Sequence, residues 1–395
     1  MKIAIKSILL SFLLIVATGC SSDDDATDMG PSPSGENQTY QLSSVSDPSI
    51  SGTVTFIANT DNSTTIELQL NGTTAGGMHP AHIHFNTAAE GGDIALTLGT
   101  VDGSTGFSTV TTTMLDNSTT ISYEQLLEFD GYVNVHASSD DLSTLVAQGD
   151  IGQNELNGEA KVYALGSVDV EGVDGTATFE ERVNGEVLAT LALNNTPDGG
   201  MHPAHIHANT AAEGGDIEVT FNSVNGTTGM SKTNITTVTY EAILDYDGYI
   251  NVHLSADNLS TLVAQGDIGQ NELTGETTVY ALATVDVPGI DGSVTFEERV
   301  NGEALATISL VGTTDGASHP AHIHAGSVAT APGAILFTFN SVDGTSGESK
   351  TNVSALDDST AFGYSDVLAV DGYVNVHLSV DDLATLVAQG NIGIN

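Results

Sequence analysis

The chain repeats itself three times over its 395 residues, and that repetition constrains its fold more than any other feature. HPAHIH begins at His79, at His202 and at His319, and YVNVH or YINVH ends at His136, His253 and His377. Longer copies follow, YVNVHASSDDLSTLVAQGDIG, YINVHLSADNLSTLVAQGDIG and YVNVHLSVDDLATLVAQGNIG, the third at the end of the sequence, which sets the phase. The units are 38–154, 155–271 and 272–395, with HPAHIH spaced 123 and then 117 residues apart. A unit of this length is too long for a solenoid repeat and long enough to bury a core of its own, so three tandem domains are expected.

Within a unit the dominant period is two. TVTFIA (53–58), TIELQL (65–70), AHIH (81–84), IALTL (94–98) and YVNVH (132–136) alternate or run apolar and are rich in Val, Ile and Thr, the residues that suit a pleated surface. Asp102-Gly103, Asn225-Gly226 and Asp343-Gly344 punctuate them as turns. One short helix is expected over Ser122–Phe129, where Ser122 and Gln125 have capping-box spacing and Gly131 can end it. Many short strands without a βαβ rhythm predict an all-β chain of three Greek-key β-sandwich or barrel domains.

The N-terminus gives an expected location. Lys2 and Lys6 precede an apolar run, Ile8 to Val16, too short to span a bilayer, and Ala17-Thr18-Gly19-Cys20 follows. This resembles a bacterial lipoprotein signal (1–19) with Cys20 as the lipidated residue. Residues 20–37 read as a flexible acidic tether, and Ser-Ser-Asp-Asp-Asp at 21–25 looks like the tract that takes such lipoproteins to the outer face of the outer membrane. With 51 acidic against 7 basic side chains the net charge is −44, which argues against nucleic acid or anionic lipid surfaces as partners. A lipid would be the only membrane anchor. One Cys excludes an internal disulfide or a thiolate zinc cage.

The twelve histidines carry the sharpest chemical signal. All fall in the repeated motifs, four per unit: His79, His82, His84 and His136; His202, His205, His207 and His253; His319, His322, His324 and His377. On a strand His82 and His84 share one face while Ile83 faces the core, and Asn134 and His136 likewise share a face opposite Val133 and Val135. If the two strands are neighbours, three imidazoles converge, with His79 near enough along the chain to be a fourth. Such a set suits Zn(II) or Cu(II), one ion per unit. The alternative is structural histidines bonded to backbone; restriction of every histidine to one constellation, three times over, favours metal. Asn134, Asn251 and Asn375 are either hydrogen-bond partners of the site or, slightly preferred, strand residues facing water. Glu90, Asp93, Glu213 and Asp216 are further candidate ligands, but the third unit reads AGSVATAPGA (325–334) at that place, without an acid. The repeated FEERVNGE (179–186 and 296–303) reads as a hairpin with adjacent Glu and Arg182 or Arg299 paired across it, recognition of an acidic partner being the weaker alternative.

HPAHIH, a Gly- or Pro-bearing loop, a short Leu-containing helix, YVNVH or YINVH and a closing Gly-Asp-Ile-Gly, Gly-Asn-Ile-Gly in the third unit, together resemble the CHRD (chordin-type) domain, in all three units. The resemblance implies an immunoglobulin-like or Cu,Zn superoxide dismutase-like β-barrel. Dismutase chemistry does not follow, because no further His is present to bridge a second metal and there is no disulfide. No P-loop, dinucleotide fingerprint or EF-hand spacing occurs. The expected function is a surface-anchored metal-binding lipoprotein without catalytic residues. A spacer or adhesion module for an extracellular ligand and a copper redox enzyme are the alternatives.

Overall fold

A computed structural model of the chain describes residues 31–395. The expected signal peptide, Cys20 and most of the tether lie outside these residues. The first unit runs β1 (Pro33–Ser44), β2 (Ser51–Asn59), β3 (Thr64–Asn71), β4 (Met78–Phe85), β5 (Ile94–Asp102), β6 (Phe107–Thr112), α1 (Tyr123–Leu127), β7 (Asp130–Ser138) and β8 (Asp141–Gly152). The second repeats this as β9 (Leu156–Ser167), β10 (Asp174–Arg182), β11 (Val187–Asn194), β12 (Met201–Ala208), β13 (Ile217–Asn225), β14 (Met230–Ile235), α2 (Tyr240–Leu244), β15 (Asp247–Ser255) and β16 (Asn258–Gly269). The third is β17 (Leu273–Thr284), β18 (Asp291–Arg299), β19 (Ala304–Val311), β20 (Ser318–Ala325), β21 (Ile335–Asp343), β22 (Glu348–Val353), α3 (Tyr364–Ala369), β23 (Asp371–Ser379) and β24 (Asp382–Gly393). No helix among the described residues is long and apolar enough to cross a membrane.

The chain is all-β, three eight-stranded barrels in tandem. Neighbour order in the first is β1-β2-β3-β6-β5-β4-β7-β8, closed by β8 pairing back to β1, and the other two units repeat it. Alternation builds each wall: Val54 and Phe56 of β2, Ile66 and Leu68 of β3, and Ala81 and Ile83 of β4 all point into one core, and each unit has its own. Closure requires close approach of two backbones. A Cβ at Gly149 would lie 2.1 Å from the Gln41 carbonyl oxygen, and Gly266 and Gly390 stand equally close to Ala164 and Ala281, so the Gly of each AQG is fixed by the wall it seals.

The third barrel stays open at one seam. Asp102 pairs with Phe107 and Asn225 with Met230 where the first two close, but Asp343 and Glu348 occupy that seam in the third and do not pair. Like charges directly opposite each other across a ladder repel.

Helix α1 has the expected Ser122 cap, with Gln125 completing the capping box. It ends at Leu127, before Gly131, which is already in β7. The tether is shorter than expected, because β1 begins at Pro33 and pairs with Asn59.

Arg182 and Arg299 are not hairpin partners of their neighbouring glutamates. Both are fully buried, and each reaches the unit before its own. Arg182 Nη1 donates to Asp150 Oδ2 at 2.7 Å and to the Asn154 carbonyl, and its Nε donates to Asn234 Oδ1 at 2.8 Å. Arg299 repeats this with Asp267, Asn271 and Asn352. Asn154 in turn donates to Asp130 Oδ1 at 2.8 Å, tying the turn between β8 and β9 to β7. An ion pair taken out of water in this way is held by geometry and by its extra hydrogen bonds.

Candidate metal centre

Strands β4 and β7 are neighbours in register, His82 opposite Asn134, Ile83 opposite Val133 and His84 opposite Tyr132. His136, two residues beyond Asn134, therefore lies diagonal to His82 on the same face. One ring nitrogen from each of His82, His84 and His136 lies within 4.8 Å of the other two, and His205, His207, His253 and His322, His324, His377 form the same cluster in the other units. The His82 ring is 5.1 Å from that of His136 and 6.0 Å from that of His84. Backbone irregularities set these angles. The ladder to β5 slips between Ile83 and His84, and the ladder to β8 slips between Val135 and His136, as bulges do when they re-aim a side chain.

Backbone carbonyls fix the tautomers. His84 Nδ1 lies 2.9 Å from the Gly92 oxygen and His136 Nδ1 2.7 Å from the Leu142 oxygen. A carbonyl only accepts, so each Nδ1 carries the proton and each Nε2 presents a lone pair to the cluster. The second unit uses Gly215 and Leu259 in this way, the third Gly333 and Leu383. The remaining donor is the Nδ1 of the first histidine, 3.1 Å from His136 Nε2 in the first unit and 3.2 Å from His253 Nε2 in the second. In the third unit the three nitrogens that face the cluster, His322 Nδ1, His324 Nε2 and His377 Nε2, are buried without a hydrogen-bond partner.

The loops that lack a shared acid thus share a carbonyl instead. Glu90 accepts from the Thr87 amide and hydroxyl, and Glu213 does the same for Thr210; neither joins a cluster. A tyrosine from the YVNVH strand braces this arrangement. Tyr132 stacks on His84 at 5.0 Å and its hydroxyl accepts from the Gly92 amide, with Tyr249 and Tyr373 stacked likewise on His207 and His324. The sequence offered two signals for it, the invariant Tyr opening YVNVH and the recurrent Gly eight or nine residues after HIH.

The fourth histidine of each unit stands apart. His79 is 7% exposed and its Nδ1 donates to the carbonyl of His136, 3.1 Å away. His202 and His319 hold the corresponding backbone of His253–Leu254 and His377–Leu378. They brace the strand end that carries a cluster histidine. Asn134, Asn251 and Asn375 do not face water: each is buried and accepts from Gln148, Gln265 or Gln389 at 2.7–2.8 Å.

Burial pushes the His82, His205 and His322 rings below the ordinary imidazole range, and the like charge that neighbouring histidines would carry pushes them the same way. Burial also lowers His136, His253 and His377, against the pull of their carbonyl partners. For His82 and His322 a carboxylate, Asp116 or Asp357, opposes the shift. In these six rings burial thus favours the neutral imidazole, the form that ligates. Three converging imidazoles held by outer hydrogen bonds form a donor set that could hold a metal ion. The chain matches no protein-family model, no curated protein and no solved structure.

Proposed function

We propose that each barrel binds one copper or zinc ion through its three-histidine cluster, and that the chain is a metal-binding protein of the bacterial envelope. The reading rests on one observation: in all three units one ring nitrogen from each of three histidines converges within 4.8 Å, while two of the three rings use Nδ1 on a carbonyl and so have Nε2 free. Structural histidines need no such convergence, and an uncharged all-nitrogen set without thiolate selects Zn(II) or Cu(II) over Ca(II) or Mg(II). On this reading the role is capture or storage of the ion, with no catalytic residue assigned. The strand order, in which β6-β5-β4 run against chain order between β3 and β7, is consistent with a Greek-key barrel of the superoxide dismutase or immunoglobulin type, and the quoted motifs with CHRD membership.

Attachment through a lipid on Cys20, at the outer face of the outer membrane, completes the proposal on the sequence signal alone. Metal analysis of the purified protein after loading tests the central claim. Three ions per chain are expected, falling to none in a His82→Ala, His205→Ala, His322→Ala variant that keeps its far-ultraviolet signature. Uptake no greater than that of the variant would end the reading and leave a spacer.

A further inference from the structure

The three clusters are not alike in what stands behind them. Between β6 and α1 the first unit has ten residues, 113–122, and between β22 and α3 the third has ten, 354–363, whereas β14 and α2 are joined by four, 236–239. This six-residue loss accounts for the unequal spacing of the HPAHIH motifs.

The long loops carry an aspartate to the edge of the cluster. Asp116 is pinned by its amide to the Ala95 carbonyl at 3.0 Å, and its Oδ2 accepts from Thr97 Oγ1 at 2.8 Å. Thr97 is the residue directly opposite His82 across the β4–β5 ladder. Asp357 repeats the arrangement, its amide on the Leu336 carbonyl and its carboxylate accepting from both the amide and the hydroxyl of Thr338, which faces His322. In the second unit Thr220 stands opposite His205, but the segment that would bring a carboxylate to it is missing. Glu218, the acid on that strand, is exposed as Asp116 and Asp357 are, but it makes no hydrogen bond to Thr220 and acts instead on Tyr246.

A fixed negative charge beside a ligand ring favours a divalent ion over an empty site, because the ion brings two positive charges and three neutral imidazoles offset none of them. Carboxylates held behind histidine ligands contribute in this way even without touching the metal. On the proposed metal-binding reading, we infer that Asp116 and Asp357 are outer carboxylates that make the first and third sites tight, and that the second site is the weak one. Both are positioning residues, fixed by threonines on the strand next to the ligands.

Titration of the metal-free protein with Zn2+ against a chromophoric chelator tests this. The expected curve has two ions bound tightly and a third about 10–100-fold more weakly. His205→Gln should remove only the weak ion. An Asp116→Asn, Asp357→Asn variant, which keeps the shape of both side chains, should bring all three sites to the weak class. Three equal sites in the unaltered protein, or loss of a tight ion in the His205 variant, would overturn the inference and leave the metal reading intact. No uptake at any site would overturn both.

Discussion

Six of the nine cluster histidines are held neutral by burial, and this gives the metal-free protein a pH dependence of defined sign. His82, His136, His205, His253, His322 and His377 titrate below the ordinary value of 6.5 when folded. In the unfolded chain they take up protons at that ordinary value. Their contribution is therefore fully present above pH 6.5 and is lost as the pH falls through the folded values. In the presence of chelator the denaturation midpoint should fall between about pH 6.5 and 5, before most carboxylates titrate. A His82→Gln, His205→Gln, His322→Gln variant should give a shallower slope there; an unchanged slope would contradict the assignment. The clusters were legible in the sequence because strand periodicity puts i and i+2 on one face. The role of His79 was not, since the ladder slips between Pro80 and His82 and proximity along the chain no longer predicts a face. Nor were the carbonyls of Gly92 and Leu142, because every residue has one and only the fold selects which.

At the scale of the strand, the seam between β21 and β22 departs from its counterparts by one residue. Phe107 and Met230 close the first two barrels, and Glu348 stands at that position in the third, unpaired with Asp343. Glu348→Phe should restore the pair and stabilise that unit by up to about 1 kcal/mol. Amide exchange along 335–353 should slow accordingly, and exchange no slower than in the unaltered protein would mean that like charge is not what holds the seam apart. Strand existence was readable from alternation in every unit. Closure was not, because it depends on a residue's opposite number in the ladder. The start of β1 is not legible for a related reason: Pro33–Asn37 has no apolar period, and Asn59, which pairs with Pro33, lies in the next strand.

Across the whole molecule the few cations do one job. All five basic residues among those described lie at the two joints: Arg182 and Arg299 in buried pairs, Lys161 against Glu272 at 2.5 Å, and Lys232 and Lys350 lining the clefts between neighbouring units. In a chain of net charge −44 this is where opposite charge is most effective. Arg182→Ala with Arg299→Ala would strand Asp150 and Asp267, each 13% exposed, at a loss of about 3–5 kcal/mol per joint. X-ray scattering should then give a larger radius of gyration, with new proteolytic cleavage at 152–156 and 269–273; an unchanged scattering curve would show that the units hold their positions without the arginines. The sequence held a hint of this. Position 59 is Asn where the later units have Arg, and position 391 is Asn where the earlier ones have Asp, so acid and base appear together or not at all. A motif read inside one repeat hides a partner that belongs to the one before.

Both joints use the same arginine, aspartate and asparagine groups, so the contact that ties the first unit to the second is made again between the second and the third. A joint that repeats makes each barrel a segment of the same kind, carrying its own histidine cluster. A gene duplication inserted at the turn after Gly152 would bring its own Asp at the leaving end and its own Arg at the entering end. Such a chain would gain one barrel and one histidine cluster, joined by a contact the fold already uses twice.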